Sequence, residues 1–133
     1  MSPRARSRWL LIITGPALVL LLASALGLLF LPFPVPRTAT PAQRLYLTYC
    51  AECHGADGRG SWRAILLLQH PPNLASPRAL AGLPETYLVG LVKNGGAPIG
   101  KPGMPAFGYH LSDDQVREIV AYVRKLAREP DHP

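Results

Sequence analysis

Apolar and polar positions divide this chain into two unlike parts. Residues 9–31, WLLIITGPALVLLLASALGLLFL, run for 23 positions without a charge. As a helix at 1.5 Å per residue, this run reaches about 35 Å, enough to cross a bilayer with some tilt. Gly15, Pro16 and Gly27 are tolerated in such a span. From residue 40 onward the pattern changes to short amphipathic stretches separated by glycine and proline. The last is the clearest: in LSDDQVREIVAYVRKLAREP, Val116, Ile119, Val120, Val123 and Leu126 recur at helical spacing and predict one buried stripe. Ser112 and Gln115 form a capping box, Asp113 and Asp114 suit the helix start, and Arg124, Lys125 and Arg128 suit its end before Pro130 stops it. A first helix is predicted from a Thr40 cap and Pro41 through AQRLYLTYCAEC, with Leu45, Tyr46 and Tyr49 on its apolar side. A second is predicted over PETYLVGLVKN, opened by Pro84 and closed at Asn94-Gly95-Gly96. No alternating strand pattern and no internal repeat occurs, so the fold class is all-α: three main helices with long loops.

The position of the charges matters more than their total. The formal net charge is +6, but Arg4, Arg6, Arg8 and Arg37 flank the apolar run and leave 10 basic against 8 acidic residues beyond residue 38. No basic-aromatic patch follows, which argues against a nucleic-acid partner. Arg4, Arg6 and Arg8 instead read as a positive-inside signal that holds the N-terminus in the cytoplasm and sends the rest outward. A cleaved signal peptide is the rival reading, with Ala23-Ser24-Ala25 as its cleavage site. Against it, the apolar run continues past that site, whereas secretory apolar cores are about 7–15 residues long. Both readings export the downstream domain. The expected organisation is a basic cytoplasmic segment 1–8, an anchor 9–31, a proline-rich linker 32–39, a domain 40–128 and a short tail 129–133. A linker rich in proline is extended and would lift the domain roughly 20–30 Å off the membrane.

About 90 residues in three short helices bury a meagre core, and domains of this kind need a disulfide, a metal or a large ligand. Both cysteines of the chain fall in YCAECHGADGRG, at Cys50 and Cys53, with His54 directly after. A disulfide there closes a tiny loop and removes little entropy from the unfolded chain. A redox dithiol is expected beside a βαβ pattern, which is missing. Zinc needs four ligands, and His70, His110 and His132 are scattered singly. Covalent haem fits. Residues 50, 53 and 54 stand at i, i+3 and i+4 on one helix face. Two thiols can bond the haem vinyl groups while the imidazole meets the iron, and C-x-x-C-H is the haem-attachment motif. The macrocycle also supplies the missing apolar body.

With YCAECHGADGRG, PPNL, VKNGGAPIGKPGMPAF and LSDDQVREIVAYVRKL in this order, residues 40–128 resemble the class I c-type cytochromes, in particular the membrane-anchored single-haem bacterial forms. For the sixth iron ligand, thioether or a second imidazole would serve. Met1 lies across the membrane from the domain, which leaves Met104, in a loop stiffened by Pro102 and Pro105. His70 and His110 are the alternatives. The resemblance further implies that the Pro72 carbonyl accepts from His54 Nδ1, that Leu74 packs on the ring, and that Tyr46 and Tyr122 form the contact where the first and last helices cross. Ala42 departs from the glycine common in the family eight residues before the first cysteine. With both axial positions filled, the expected function is electron transfer through one haem c and not catalysis. The expectation is a membrane-tethered respiratory carrier, its haem domain in the periplasm on a single-pass anchor in the bacterial inner membrane. It would run between a quinol-oxidising complex or dehydrogenase and a terminal oxidase or reductase. The alternative is a haem c subunit fixed within a membrane oxidase or dehydrogenase.

Overall fold

A computed structural model describes residues 3–128, and the expected tail, with Pro130 and His132, lies outside the described residues. All regular structure among the described residues is helical. The chain divides between Pro32 and Phe33 into two units.

The first unit contains α1, Pro3–Phe30, a single helix that continues through Pro16. Its side chains are described over residues 12–28, and all of these are exposed. The expected membrane span over residues 9–31 is not shown, since among the described residues no helix is long and apolar enough to cross a membrane.

The second unit is built on α2 (Pro41–Tyr49), α3 (Ala51–His54), α4 (Trp62–Leu66), α5 (Pro77–Leu80), α6 (Glu85–Asn94) and α7 (Asp113–Arg128). Thr40 caps α2, its hydroxyl accepting from the Gln43 N–H at 3.2 Å, and Pro41 takes the first turn, where no N–H is needed. Ser112 and Gln115 close the capping box of α7: the Ser112 N–H donates to Gln115 Oε1 at 2.9 Å, and the Gln115 N–H donates to Ser112 Oγ at 3.3 Å. Val116, Ile119 and Val120 are buried along α7, while Val123 and Leu126 are half-buried. Each fully buried side chain of this size contributes about 1.5–3 kcal/mol.

Helix α7 is the spine. It packs against α2 through Tyr46 and Tyr122, whose rings lie 5.2 Å apart and tilted by 51°. Against α6 and α5 it buries Val120 and Ala127 with Leu88 and Leu80. Three small clusters result, and no single large one.

Two elements differ from expectation. The first helix breaks at Cys50, where ψ and φ of −33° and −113° end α2 and a new turn, α3, begins. The linker is also not a free spacer. Phe33 packs against the Tyr46–Leu47–Ala51 cluster, Ala39 is buried, and the Arg44 guanidinium donates to the Ala39 carbonyl at 3.0 Å. Within residues 33–39 a turn closes from the Ala39 N–H to the Pro36 carbonyl at 3.0 Å, and Phe33 and Ala39 find cover on the domain while Pro34, Val35 and Pro36 stay exposed.

Candidate haem site

The break at Cys50 sets up the site. The Cys50 N–H ends α2 on the Tyr46 carbonyl at 2.8 Å, and the Cys50 carbonyl then accepts from Cys53 at 3.3 Å and His54 at 2.9 Å. One carbonyl thus organises the turn that carries both remaining residues of the motif. Gly55 leaves this turn at φ +76°, and a side chain there would meet the Gly60 carbonyl oxygen at 2.6 Å. The following loop folds back: Gly60 N–H donates to the His54 carbonyl at 2.7 Å, and Ser61 N–H to the Cys53 carbonyl at 3.0 Å. The fully buried Tyr46 hydroxyl donates to the Gly55 carbonyl at 2.9 Å and pins the turn to the α2–α7 crossing.

Cys50 and Cys53 are free thiols, half-buried. Burial, with Cys53 beside it, pushes the Cys50 thiol up to about 12. Burial and the Glu52 carboxylate raise Cys53 as well. Thiols of a working dithiol have lowered values, so this environment suits neutral thiols awaiting a covalent partner. Among the described residues no group of three or more His, Cys, Asp and Glu side chains is placed to hold a metal ion.

Burial lowers the His54 pKa, and the Pro72 backbone opposes it. The approach of the Pro72 carbonyl falls short of hydrogen-bond geometry, so Nδ1 is a buried polar atom without a partner. An orphaned buried nitrogen is costly. Leu74 is half-buried between two clusters, and its N–H donates to the Gly58 carbonyl at 2.7 Å.

Met104 sits on a different loop, which is held by backbone. The Gly96 N–H donates to the Met104 carbonyl at 2.9 Å, Phe107 to Val92 at 3.0 Å, and Gly108 to Lys93 at 3.0 Å. Gly95, at φ +74°, lets Met104 approach, since a side chain there would meet the Met104 carbonyl oxygen at 2.8 Å. The thioether is half-buried. Phe107 connects this loop to the cysteine side, its ring edge-on to Tyr49 at 5.9 Å and in one cluster with Cys50. The loops also meet where the Gln69 carboxamide lies against Gly103.

His70 and His110 are both exposed, and the His110 N–H closes a turn on the Phe107 carbonyl at 2.9 Å. Sequence reasoning missed Gln69, Arg63 and Phe33. Arg63 donates to Glu52 at 3.0 Å, and its guanidinium carbon lies 4.9 Å from the centre of the Phe33 ring. Contacts over 11 and 30 positions leave no spacing signal. Two neutral thiols and an orphaned imidazole on one turn, with a thioether on a scaffolded loop, fit a haem.

This helical architecture, with Cys50 and Cys53 on one turn, is that of a c-type cytochrome domain, whose cofactor is covalently bound haem c and whose role is electron transfer. The chain belongs to the family described as cytochrome c oxidase, cbb3-type, subunit III, which matches residues 37–123. It is 38% identical over 87 residues to the gluconate 2-dehydrogenase cytochrome c subunit of Pantoea cypripedii, covering 60% of this chain and 18% of that protein. It is 31% identical over 88 residues to the cbb3-type cytochrome c oxidase subunit CcoP of Azospirillum brasilense, covering 66% of this chain and 28% of that one. To the FixP subunit of Rhizobium meliloti (strain 1021) it is 30% identical over 92 residues, 68% of this chain and 28% of that protein. The chain therefore spans less than a third of the length of these relatives.

Proposed function

We propose that this chain carries one electron at a time on a haem bonded to Cys50 and Cys53 and held axially by His54 and Met104, as a membrane-tethered respiratory component. The observation that carries the reading is the turn at residues 50–54, where one carbonyl, one buried tyrosine hydroxyl and one glycine present two neutral thiols and a half-buried imidazole together. Haem c supplies the one-electron couple. The chain's part is to fix both axial donors before the electron arrives: His54 by its helix turn with the Pro72 carbonyl behind it, Met104 by the α6 end. Leu74 and Tyr46 complete the packing, and a site filled on both sides favours electron transfer.

The anchor reading rests on the uncharged run at residues 9–31 and on the exposed apolar side chains of α1. A helix apolar on all sides needs a surrounding that water does not provide. With three arginines at its start it is a single pass in the bacterial inner membrane, the haem domain in the periplasm. Donor and acceptor are then a quinol-oxidising complex or dehydrogenase and a terminal oxidase or reductase. One observation favours the second reading, a subunit fixed within an oxidase or dehydrogenase: Phe33 and Ala39, at the two ends of residues 33–39, are packed on the domain, which shortens the tether and the radius a free carrier could sweep.

The test is a pyridine haemochrome spectrum of detergent-extracted, denatured and reduced protein. A c-type signature that survives denaturation supports thioether attachment; its absence, in cells with the attachment machinery, overturns the proposal. Membrane fractions resistant to carbonate extraction test the anchor. Co-purification in mild detergent separates the fixed subunit from the free carrier.

A further inference from the structure

Helix α4 ends in a strained turn. The Leu68 N–H donates to the Ile65 carbonyl at 3.0 Å, and the Gln69 N–H donates to the Ala64 carbonyl at 2.8 Å. These two bonds make a Schellman closure, in which the residue after the cap turns left-handed. Glycine usually takes that position, because it has no side chain to clash. Here the residue is Leu68, at φ +56°, the one non-glycine residue with positive φ among the described residues. Such strain persists only where the surroundings over-determine it, and it gathers at functional sites.

What the turn delivers is Gln69. Its carboxamide lies on Gly103, the residue before Met104. A side chain at 103 would come within 2.5 Å of Gln69 Cδ and 3.0 Å of Nε2, and would overlap Oε1 outright. Gly103 is not among the glycines with positive φ, so the neighbouring carboxamide, and not the backbone, is what favours glycine there. The main-chain bonds described above hold the methionine loop from the end of α6, and the Met104 N–H adds one within the loop, to the Lys101 carbonyl at 3.1 Å. Gln69 meets the loop from a different segment, which follows the cysteine turn and leads on to Pro72. Groups behind a ligand that fix its orientation tune how firmly it is held. We propose that Gln69 is a positioning residue for the sixth iron ligand: its carboxamide braces Gly103 and keeps the Met104 thioether from swinging off the iron. This inference rests on the ligation by Met104 proposed above.

The test follows cyanide binding to the full haem-loaded ferric chain, in which Met104 has to leave before cyanide can bind. Wild type, Met104→Ala, Gln69→Ala, Gly103→Ala and the double variant Gln69→Ala/Gly103→Ala are compared. Haem per polypeptide and the methionine–iron absorption band are recorded for each. Gln69→Ala is expected to speed binding several-fold and to weaken the band at unchanged haem content, short of the effect of Met104→Ala. Gly103→Ala pushes the carboxamide aside and is expected to give the same gain. The double variant should then gain no more than either single one, because both remove one contact. A wild-type rate in Gln69→Ala, or gains that multiply in the double variant, overturns the brace and leaves the ligation standing. Haem loss in Gln69→Ala also overturns it, assigning the residue to the fold. A wild type as fast as Met104→Ala overturns the ligation, and the brace with it.

Discussion

The two loops that approach the haem position are built in opposite ways. On the histidine side, residues 55–61 and 72–75 fold back toward α3 and bury Gly55, Gly58, Ser61 and Ala75, while Ala56, Asp57, Arg59, Pro72 and Asn73 stay exposed: Gly58 lies against Ala75, Leu74 and Leu126, and the Tyr46 hydroxyl reaches the Gly55 carbonyl from the core. On the methionine side, residues 95–108 hang on the end of α6 by main-chain hydrogen bonds, while Lys101, Pro102, Gly103, Pro105 and Gly108 stay exposed. On the proposed ligation, the imidazole is a strong ligand already fixed by the covalent motif beside it, so its loop would serve the fold as much as the iron. A thioether binds weakly, and its loop has to supply geometry in place of bond strength. Damage on the first side should therefore cost the holoprotein, and damage on the second only the sixth ligand.

The pair that tests this most severely is Gly55→Ala against Gly95→Ala. Both glycines combine positive φ with extended ψ, a region that essentially only glycine adopts, where a side chain costs about 1–3 kcal/mol before any clash. At Gly55 the new carbon also meets the Gly60 carbonyl at 2.6 Å, beneath the motif itself. Haem per polypeptide, read by pyridine haemochrome, is expected to collapse. At Gly95 the carbon meets Met104 and Ala106 backbone at 2.8 and 2.9 Å, so the methionine loop lifts away while the thioethers remain. Equal haem loss in the two variants would dissolve the contrast.

Next in size is Met104→Ala. It should keep covalent haem at the wild-type level, lower the reduction potential, and let the reduced protein bind carbon monoxide. An unchanged spectrum without carbon monoxide binding would show that another group holds the sixth position. Tyr46→Phe probes the histidine side more gently. It deletes a buried 2.9 Å hydrogen bond and strands the Gly55 carbonyl, a loss of about 1–3 kcal/mol measurable as a lower denaturant midpoint. Ser112→Ala removes one half of the α7 capping box and should cost about 1 kcal/mol by the same measurement.

The contrast also explains which features the sequence made legible. Helix α7 reads directly because its capping box, apolar stripe and terminal charges all point the same way, and α2 and α6 because Pro41 and Pro84 mark their starts. The thiols, His54 and Met104 stand out in the sequence because each brings a chemistry that few other residues could supply, and their assignment to the haem is the proposal made above. The break at Cys50 was not, since AQRLYLTYCAEC continues helical spacing through it, and only the carbonyl shared by Cys53 and His54 reveals a new turn. Helix α4 has its own signal, a Ser61 cap before WRAIL, but its large apolar side chains face outward and so resemble loop composition rather than core. The linker misleads through proline: repeated Pro describes its backbone, while its packing is decided by Phe33 and Ala39. Gln69 against Gly103 is a contact between two loops, and no local pattern encodes it.

The smallest expected effect lies where the methionine loop meets α7. The Lys93 ammonium donates to Asp113 Oδ1 at 2.6 Å, and the carbonyl of the same Lys93 accepts from Gly108 at 3.0 Å. The ion pair therefore braces the residue on which the loop closes. This hydrogen bond holds the Asp113 carboxyl below the usual carboxylate range. A carboxyl depressed in the folded state contributes stability that is fully present above its unfolded pKa, about 3.9, and is lost as pH falls through the folded value. Both side chains are solvent-accessible, so the contribution is small and screened by salt. Asp113→Asn should accordingly speed cyanide binding to the ferric protein by a small factor at neutral pH, through easier loss of Met104. That difference from wild type should shrink below about pH 4 and also with added salt. No difference at neutral pH and low salt would mean that Asp113 acts as a helix-start residue only, and that on the α6 side the methionine loop is held by its backbone alone.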